Sequence, residues 1–181
     1  SIIALEKCNP NDTVTVSDSV IKQISNWKGS ASINLEAGEK ISVLDLIYSM
    51  MLVSANDSLF ALAEFICGSL DKFAVMMQEK AKSIGAADTT ITTADGRFTA
   101  EQYSNAYDLA IICRYCMTNR MFRTIAATDK YTIPATNKNG SRDLQNTNLL
   151  INSGNRRYRY ETAIGIKSGY TARSKSCLAC S

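Results

Sequence analysis

Apolar residues recur at helical spacing three times between positions 42 and 83. Val43, Leu44, Leu46, Ile47, Met50 and Met51 give a broad apolar face to a helix over 42–53. At its start Ser42 and Asp45 have the residue types and spacing of a capping box, in which side-chain oxygens take the backbone N–H groups that a first turn leaves unpaired. A second apolar helix is expected over 58–67, closed by Gly68, which enters the left-handed conformation without steric cost. A third, over 71–83, carries Phe73, Met76 and Met77 on one side, with Ile84 next and Gly85 beyond. The spacing returns over 103–117 through Leu109, Ile112 and Met117, and a short helix over 121–127 follows.

The flanks carry other patterns. Residues 1–5 have the character of a helix tail entered from upstream, and they are too short and lack the basic start of a signal peptide. Asn9-Pro10-Asn11-Asp12 is a turn, and 13–16 alternate as a short strand does. The stretch from there to the first long helix is irregular by pattern. Residues 89–93 are expected to be extended, and Asp95-Gly96 to turn. From Lys130 onward the period becomes two: Tyr131-Thr132-Ile133 ends at Pro134, a loop of Asn, Lys and Gly follows, and 161–170 alternates. With no repeat, linker or low-complexity segment, this order predicts one domain of α+β class. A helical lobe takes about 42–128, and sheet-forming segments take about 13–16, 130–134 and 161–181.

With 181 residues, 45% of them hydrophobic, the chain can bury a substantial core. No apolar run nears the roughly 18 residues of a membrane span. A net charge of +3 is too small to argue for nucleic acid. Asn155-Arg156-Arg157-Tyr158-Arg159-Tyr160 does interleave basic and aromatic residues, yet a solvated hairpin loop accounts for it and no motif supports it. The absence of histidine excludes a Ser-His-Asp triad, a Cys-His pair and histidine metal sites, so hydrolytic chemistry needs another base, for which lysine is the obvious substitute. Cys113/Cys116 and Cys177/Cys180 form two Cys-x-x-Cys pairs. The first lies in a helical pattern, the second in a strand that would send its thiols to opposite faces, and sixty residues part them. Buried free thiols are therefore expected in preference to a zinc ribbon.

Two motifs can carry chemistry. Ser54-Ala55-Asn56 stands at the break between two apolar helices, where Asn56 or Asp57 either caps the second helix or, with Ser54, offers fixed polar groups to a ligand. Lys167-Ser168-Gly169 ends an alternating strand in which Ala163, Gly165, Lys167 and Gly169 share one face. A cation between two glycines there is either a solvated strand end or part of a strand that receives a substrate. In this order the motifs resemble two of the three signatures of the penicillin-binding and serine β-lactamase superfamily. Ala4-Leu5-Glu6, Met51-Leu52-Val53-Ser54-Ala55-Asn56-Asp57, Gln102-Tyr103-Ser104-Asn105-Ala106-Tyr107-Asp108-Leu109-Ala110, Asn146-Thr147-Asn148-Leu149-Leu150 and Gly165-Ile166-Lys167-Ser168-Gly169-Tyr170-Thr171 resemble more narrowly the low-molecular-weight serine D-alanyl-D-alanine carboxypeptidases. Nothing resembles the deacylating glutamate loop of the β-lactamases.

The resemblance implies a transpeptidase-like fold, with a mostly antiparallel sheet, packed helices and a cleft between sheet and helical lobe. It implies that Ser54 relays a proton, that Asn56 bonds the substrate backbone and that Lys167 stabilises charge. It gives Ser168, where relatives often carry Thr, the terminal carboxylate of the substrate, and gives the N–H of Tyr170, beyond Gly169, half of an oxyanion hole. Strict alternation turns Ser168 away from the face of Lys167, and a twisted strand edge beside Gly169 is one resolution. The implied reaction is acyl transfer from a peptidoglycan stem peptide ending in D-Ala-D-Ala, with acylation by β-lactam antibiotics, no metal or organic cofactor, an extracytoplasmic location and a membrane anchor, if any, outside these residues. The family's nucleophilic Ser-x-x-Lys is expected just before Ser1, and further strands after the Lys-Ser-Gly strand. Three internal Ser-x-x-Lys patterns, Ser19 to Lys22, Ser25 to Lys28 and Ser69 to Lys72, lack the surroundings of the family helix. A non-catalytic wall-binding module and a β-lactamase-like amide hydrolase are the competing readings.

Overall fold

Apolar spacing and capping residues together set the helices of the computed structural model, which describes residues 1–27, 29–155 and 157–181. The helices are α1 (Ile2–Lys7), α2 (Asp18–Ser25), α3 (Val43–Val53), α4 (Asn56–Cys67), α5 (Leu70–Ser83), α6 (Ala106–Thr118) and α7 (Arg120–Ala126). Ser42 caps α3 by accepting the N–H of Asp45 at 3.0 Å, and its hydroxyl in turn donates to Asp45 Oδ2 at 2.5 Å. Ser69, Asn105 and Asn119 cap α5, α6 and α7 in the same way. Gly68 ends α4 at φ 85°, in the left-handed region the sequence called for.

The strand expected over 161–170 begins only at Ile166, and three further differences from the sequence pattern have local causes. The stretch after residue 16, irregular by pattern, contains α2, which is set by Ser17 accepting from the N–H of Val20 at 3.2 Å and by Val20, Ile21 and Ile24 on one side. Helix α4 starts two residues earlier than expected, directly after the break at Ser54. Helix α6 starts later, because Tyr103 is drawn into a β-bridge with Thr90.

Three antiparallel two-stranded ladders form among the described residues, consistent with the α+β class. They pair β1 (Thr13–Thr15) with β2 (Lys40–Ser42), β3 (Lys130–Ile133) with β4 (Arg142–Gln145), and β5 (Ile166–Thr171) with β6 (Lys175–Cys180). Strands β2 and β4 give almost no periodic signal, since each holds a single apolar residue, Ile41 or Leu144, buried on the inner face. The core gathers around α3 and α4, where Leu46, Ile47, Leu52, Phe60 and Leu62 are fully buried, each worth about 1.5–3 kcal/mol relative to exposure. A buried Glu39 accepts from Arg142 Nη2 at 2.8 Å, Thr136 Oγ1 at 2.9 Å and Asn139 Nδ2 at 3.0 Å, tying the turn before β2 to the loop before β4. Burial alone would raise its pKa, but the backbone N–H of Glu36 and these donors outweigh it and hold the carboxyl below its ordinary value.

Among the described residues no helix is long and apolar enough to cross a membrane. The six cysteines are unpaired, but the expectation that all are buried needs correction: Cys116 is buried, Cys8, Cys67 and Cys113 are half-buried, and Cys177 and Cys180 are exposed. The reason lies in β6, which is exposed along almost its whole length.

Candidate active-site cleft

Helix α3 ends at Ser54, which takes the left-handed conformation (φ 58°, ψ 35°) and bonds its N–H back to the carbonyl of Ser49. A non-glycine residue held there costs on the order of 1 kcal/mol, so the surrounding packing must fix it. The chain turns through a buried Ala55 and enters α4 at Asn56. Ser54 and Asn56 therefore sit on one corner, and both line the same cleft.

Neither Asn56 nor Asp57 acts as the helix cap that the sequence offered as one reading. The α4 N-cap is Ala55, without a side-chain bond. Asp57 is fully buried and turns inward, where its carboxylate accepts from Ser32 Oγ at 2.5 Å and from the N–H groups of Ile33 at 3.1 Å, Leu35 at 3.0 Å and Ser58 at 2.9 Å. This pins residues 32–35 against α4, while the N–H of Asn56 donates to Ala31 O at 2.8 Å. The Asn56 amide makes no hydrogen bond among the described residues and remains available to the cleft.

The opposite wall is β5. Lys167 reaches from it to donate Nζ to Ser54 Oγ, across 113 positions of sequence, and to the carbonyl of Ser168 at 2.7 Å. Burial of the ammonium lowers the Lys167 pKa. Ser168, Gly169 and Tyr170 line the cleft beside it, so the alternation that would separate Ser168 from Lys167 does not keep them apart. The two flanking glycines have different causes. Gly165, at φ 131°, lies where a Cβ would stand 3.0 Å from Ala126 Cβ and 3.2 Å from Ala126 O, so its smallness serves the packing of α7 and not a substrate. Gly169 faces open space.

Thr147 joins the walls, and sequence reasoning gave it no role beyond its place in a family-like run. Its N–H and its hydroxyl both donate to Leu52 O, at 2.9 and 3.0 Å, and its oxygen lies 3.5 Å from Ser168 Oγ. Because the one hydroxyl proton of Thr147 is committed to Leu52, the proton between Thr147 and Ser168 belongs to Ser168. No periodicity signals such a residue, since it stands in a loop.

The cleft measures about 640 Å³ and is walled by the Ser54–Asn56 corner, β5, Trp27 with Gly29, Ser30 and Ala31, and the Asp95-Gly96-Arg97 turn. None of the three internal Ser-x-x-Lys serines lines it. Ser69 is the cap of α5, Ser19 accepts from Gln23 on the exposed side of α2, and Ser25 donates to Lys22 O. Lys28, in the second of these patterns, and Arg156, in the basic-aromatic run, lie outside the described residues. No group of His, Cys, Asp and Glu among the described residues is arranged to hold a metal ion.

A family model described as D-alanyl-D-alanine carboxypeptidase matches residues 2–181. The chain is 34% identical to D-alanyl-D-alanine carboxypeptidase DacF of Bacillus subtilis over 84% of its own length and 38% of that protein. It is 31% identical to a Streptomyces D-alanyl-D-alanine carboxypeptidase over 98% of itself and 62% of that protein. It thus spans less than two thirds of these curated relatives. The crystal structure of a Streptomyces DD-transpeptidase superposes with a TM-score of 0.85 at 28% identity, covering 99% of this chain and 70% of that one. A D-alanyl-D-alanine carboxypeptidase structure from Mycobacterium tuberculosis superposes at 0.83, with 28% identity, covering 97% and 62%.

Proposed function

Because the chain belongs to the D-alanyl-D-alanine carboxypeptidase family, we propose that it forms the substrate cleft of an extracytoplasmic serine enzyme that removes the terminal D-Ala from peptidoglycan stem peptides and is acylated by β-lactams. The supporting observation is the hydrogen bond from Lys167 to Ser54 across the cleft, beside an uncommitted Asn56 amide. The nucleophilic serine comes from a Ser-x-x-Lys outside residues 1–181. It attacks the penultimate D-Ala carbonyl, the C–N bond breaks, and D-Ala leaves as the amine takes a proton; water then cleaves the acyl ester.

In this reading Ser54 is the proton relay. Its oxygen accepts from Lys167, so its own proton is free to be handed to the departing nitrogen. Lys167 holds positive charge beside the site, and its lowered pKa makes it an easier proton donor than a solvated lysine. The Ser168 hydroxyl, already oriented as a donor by Thr147, turns to the substrate's terminal carboxylate, and the Asn56 amide bonds the substrate backbone. Strand β5 pairs with β6 on one side only among the described residues, which leaves backbone groups such as the Tyr170 N–H for an extended substrate and its developing oxyanion. The site residues need no metal or organic cofactor for this chemistry.

Incubation of the full-length protein with a penicillin, followed by intact mass measurement, tests the reading. A stable adduct is expected on a serine outside this chain, and Lys167→Ala and Ser54→Ala are expected to slow its formation by at least a hundredfold. The 181-residue chain alone gains none. An adduct on Ser19 or Ser25, or unchanged acylation in both variants, refutes the assignment.

A further inference from the structure

Arg97 lines the cleft but has no part in the reaction described above. Its guanidinium lies 4.0 Å from the Trp27 ring centroid, and Trp27 packs edge-on against Phe60, with centroids 5.9 Å apart. Phe60 is fully buried, so the cation rests on a platform anchored in the core. The Asp95 side chain, only 3% exposed, stands behind it: Oδ1 accepts the Arg97 backbone N–H at 3.2 Å and lies 3.7 Å from Nε, too far for a hydrogen bond. Asp95 Oδ2 is buried without a donor among the described residues. The guanidinium is thus held by charge and stacking, and none of its N–H donors is spent within the described residues, while half of the side chain remains exposed. A planar fork with unspent donors, fixed in place before any ligand arrives, matches a carboxylate and loses little freedom on binding one.

We infer that Arg97 is a specificity residue that recognises a carboxylate carried by the peptide substrate upstream of its C-terminal pair. The inference rests on the reading of the cleft given above, in which Ser168 holds the terminal carboxylate. That leaves Arg97, on the Trp27 wall, to an anionic group farther along the chain. Exchanging that carboxylate for a carboxamide removes a charge-assisted hydrogen bond, a loss of roughly tenfold or more in affinity.

The test uses the full-length protein and two acyl peptides ending in D-Ala-D-Ala that differ only in an upstream carboxylate or carboxamide. D-Ala release gives kcat and KM for each, and titration calorimetry gives the equilibrium affinity. Wild type is expected to prefer the carboxylate peptide about tenfold, through KM and Kd and not kcat. Arg97→Gln is expected to bring the ratio close to one, and Arg97→Lys to keep part of it. Arg173→Gln removes a cation that covers Phe98 outside the cleft lining and is expected to keep the full ratio. A wild-type ratio near one, or a ratio that survives in a folded Arg97→Gln, overturns the inference. Should neither peptide release D-Ala, the proposed reaction fails, and the affinity ratio still decides the role of Arg97.

Discussion

Replacing Asp57 by asparagine exchanges a buried carboxylate for an amide of nearly the same shape, so its effect isolates hydrogen bonding from packing. Oδ2 accepts from Ser32 Oγ, Ile33 N and Leu35 N, and Oδ1 accepts from Ser58 N. An amide has one acceptor oxygen, and its NH2 must face a donor wherever it is placed. The cheaper orientation gives the oxygen to the three-donor side. It then loses the Ser58 bond and turns three bonds to a charged acceptor into bonds to a neutral one. Bonds to charged groups contribute about 1.5–3 kcal/mol against about 1 kcal/mol for neutral ones, so the loss is about 3 kcal/mol at the lower end of that range. For a chain of this size that corresponds to a fall in Tm of roughly 10 °C, measurable by thermal denaturation in a single buffer. Penicillin acylation of the full-length variant should also slow, because the pinned segment adjoins Ala31, whose carbonyl holds the Asn56 N–H at the cleft wall. A variant that melts within about 2 °C of wild type would show that the carboxylate is not what fixes this loop.

Lys167→Met removes a cation whose pKa burial has lowered. Below the folded-state pKa the wild type carries the full cost of a buried charge, and that cost disappears as pH rises toward the unfolded value of about 10.4. Urea denaturation at pH 7 and pH 10 should therefore show wild type gaining stability relative to the variant at the higher pH; a constant difference contradicts this. Gly165→Ala meets Ala126 and a φ of 131°, and should destabilise by about 2 kcal/mol, whereas Gly169→Ala should leave Tm unchanged and slow acylation by placing a methyl group in the cleft. Equal melting temperatures for the two alanine variants would refute the distinction. In native-state alkylation followed by mass mapping, Cys177 and Cys180 should label first, and Cys116, pushed up to about 11 by burial, only on unfolding. Early labelling of Cys116 would contradict its placement.

The helical lobe is legible in the sequence because its signals are local: Ser42, Gly68 and the apolar runs of α3 to α5 lie within a few residues of what they determine. Helix α2 carries a similar signal in Ser17-Asp18 and Val20, Ile21 and Ile24, but its short length hides it among polar residues. Strands β2 and β4 are not legible, since their pairing depends on Val14 and Tyr131 opposite and on the buried Glu39 network, not on their own alternation. In the candidate cleft, Ser54, Asn56 and Lys167 are the lining residues that a motif makes legible. The inward turn of Asp57, the bridge at Thr147 and the stacked Arg97 depend on partners distant in sequence, or on an aromatic platform that no spacing rule locates. Gly165 stands out in the sequence by residue type, and only its close approach to Ala126 shows why.

The threads that hold the two walls together run from residue 52 to 147 and from 54 to 167. A chain emerging from the ribosome can therefore complete the Ser54 corner long before the strand opposite exists. Closing loops of this length is entropically unfavourable and slow compared with forming the helices themselves. A closed cleft is thus acquired late in biosynthesis, and a nascent polypeptide halted before position 147 would own one jaw of the vice and nothing to grip against.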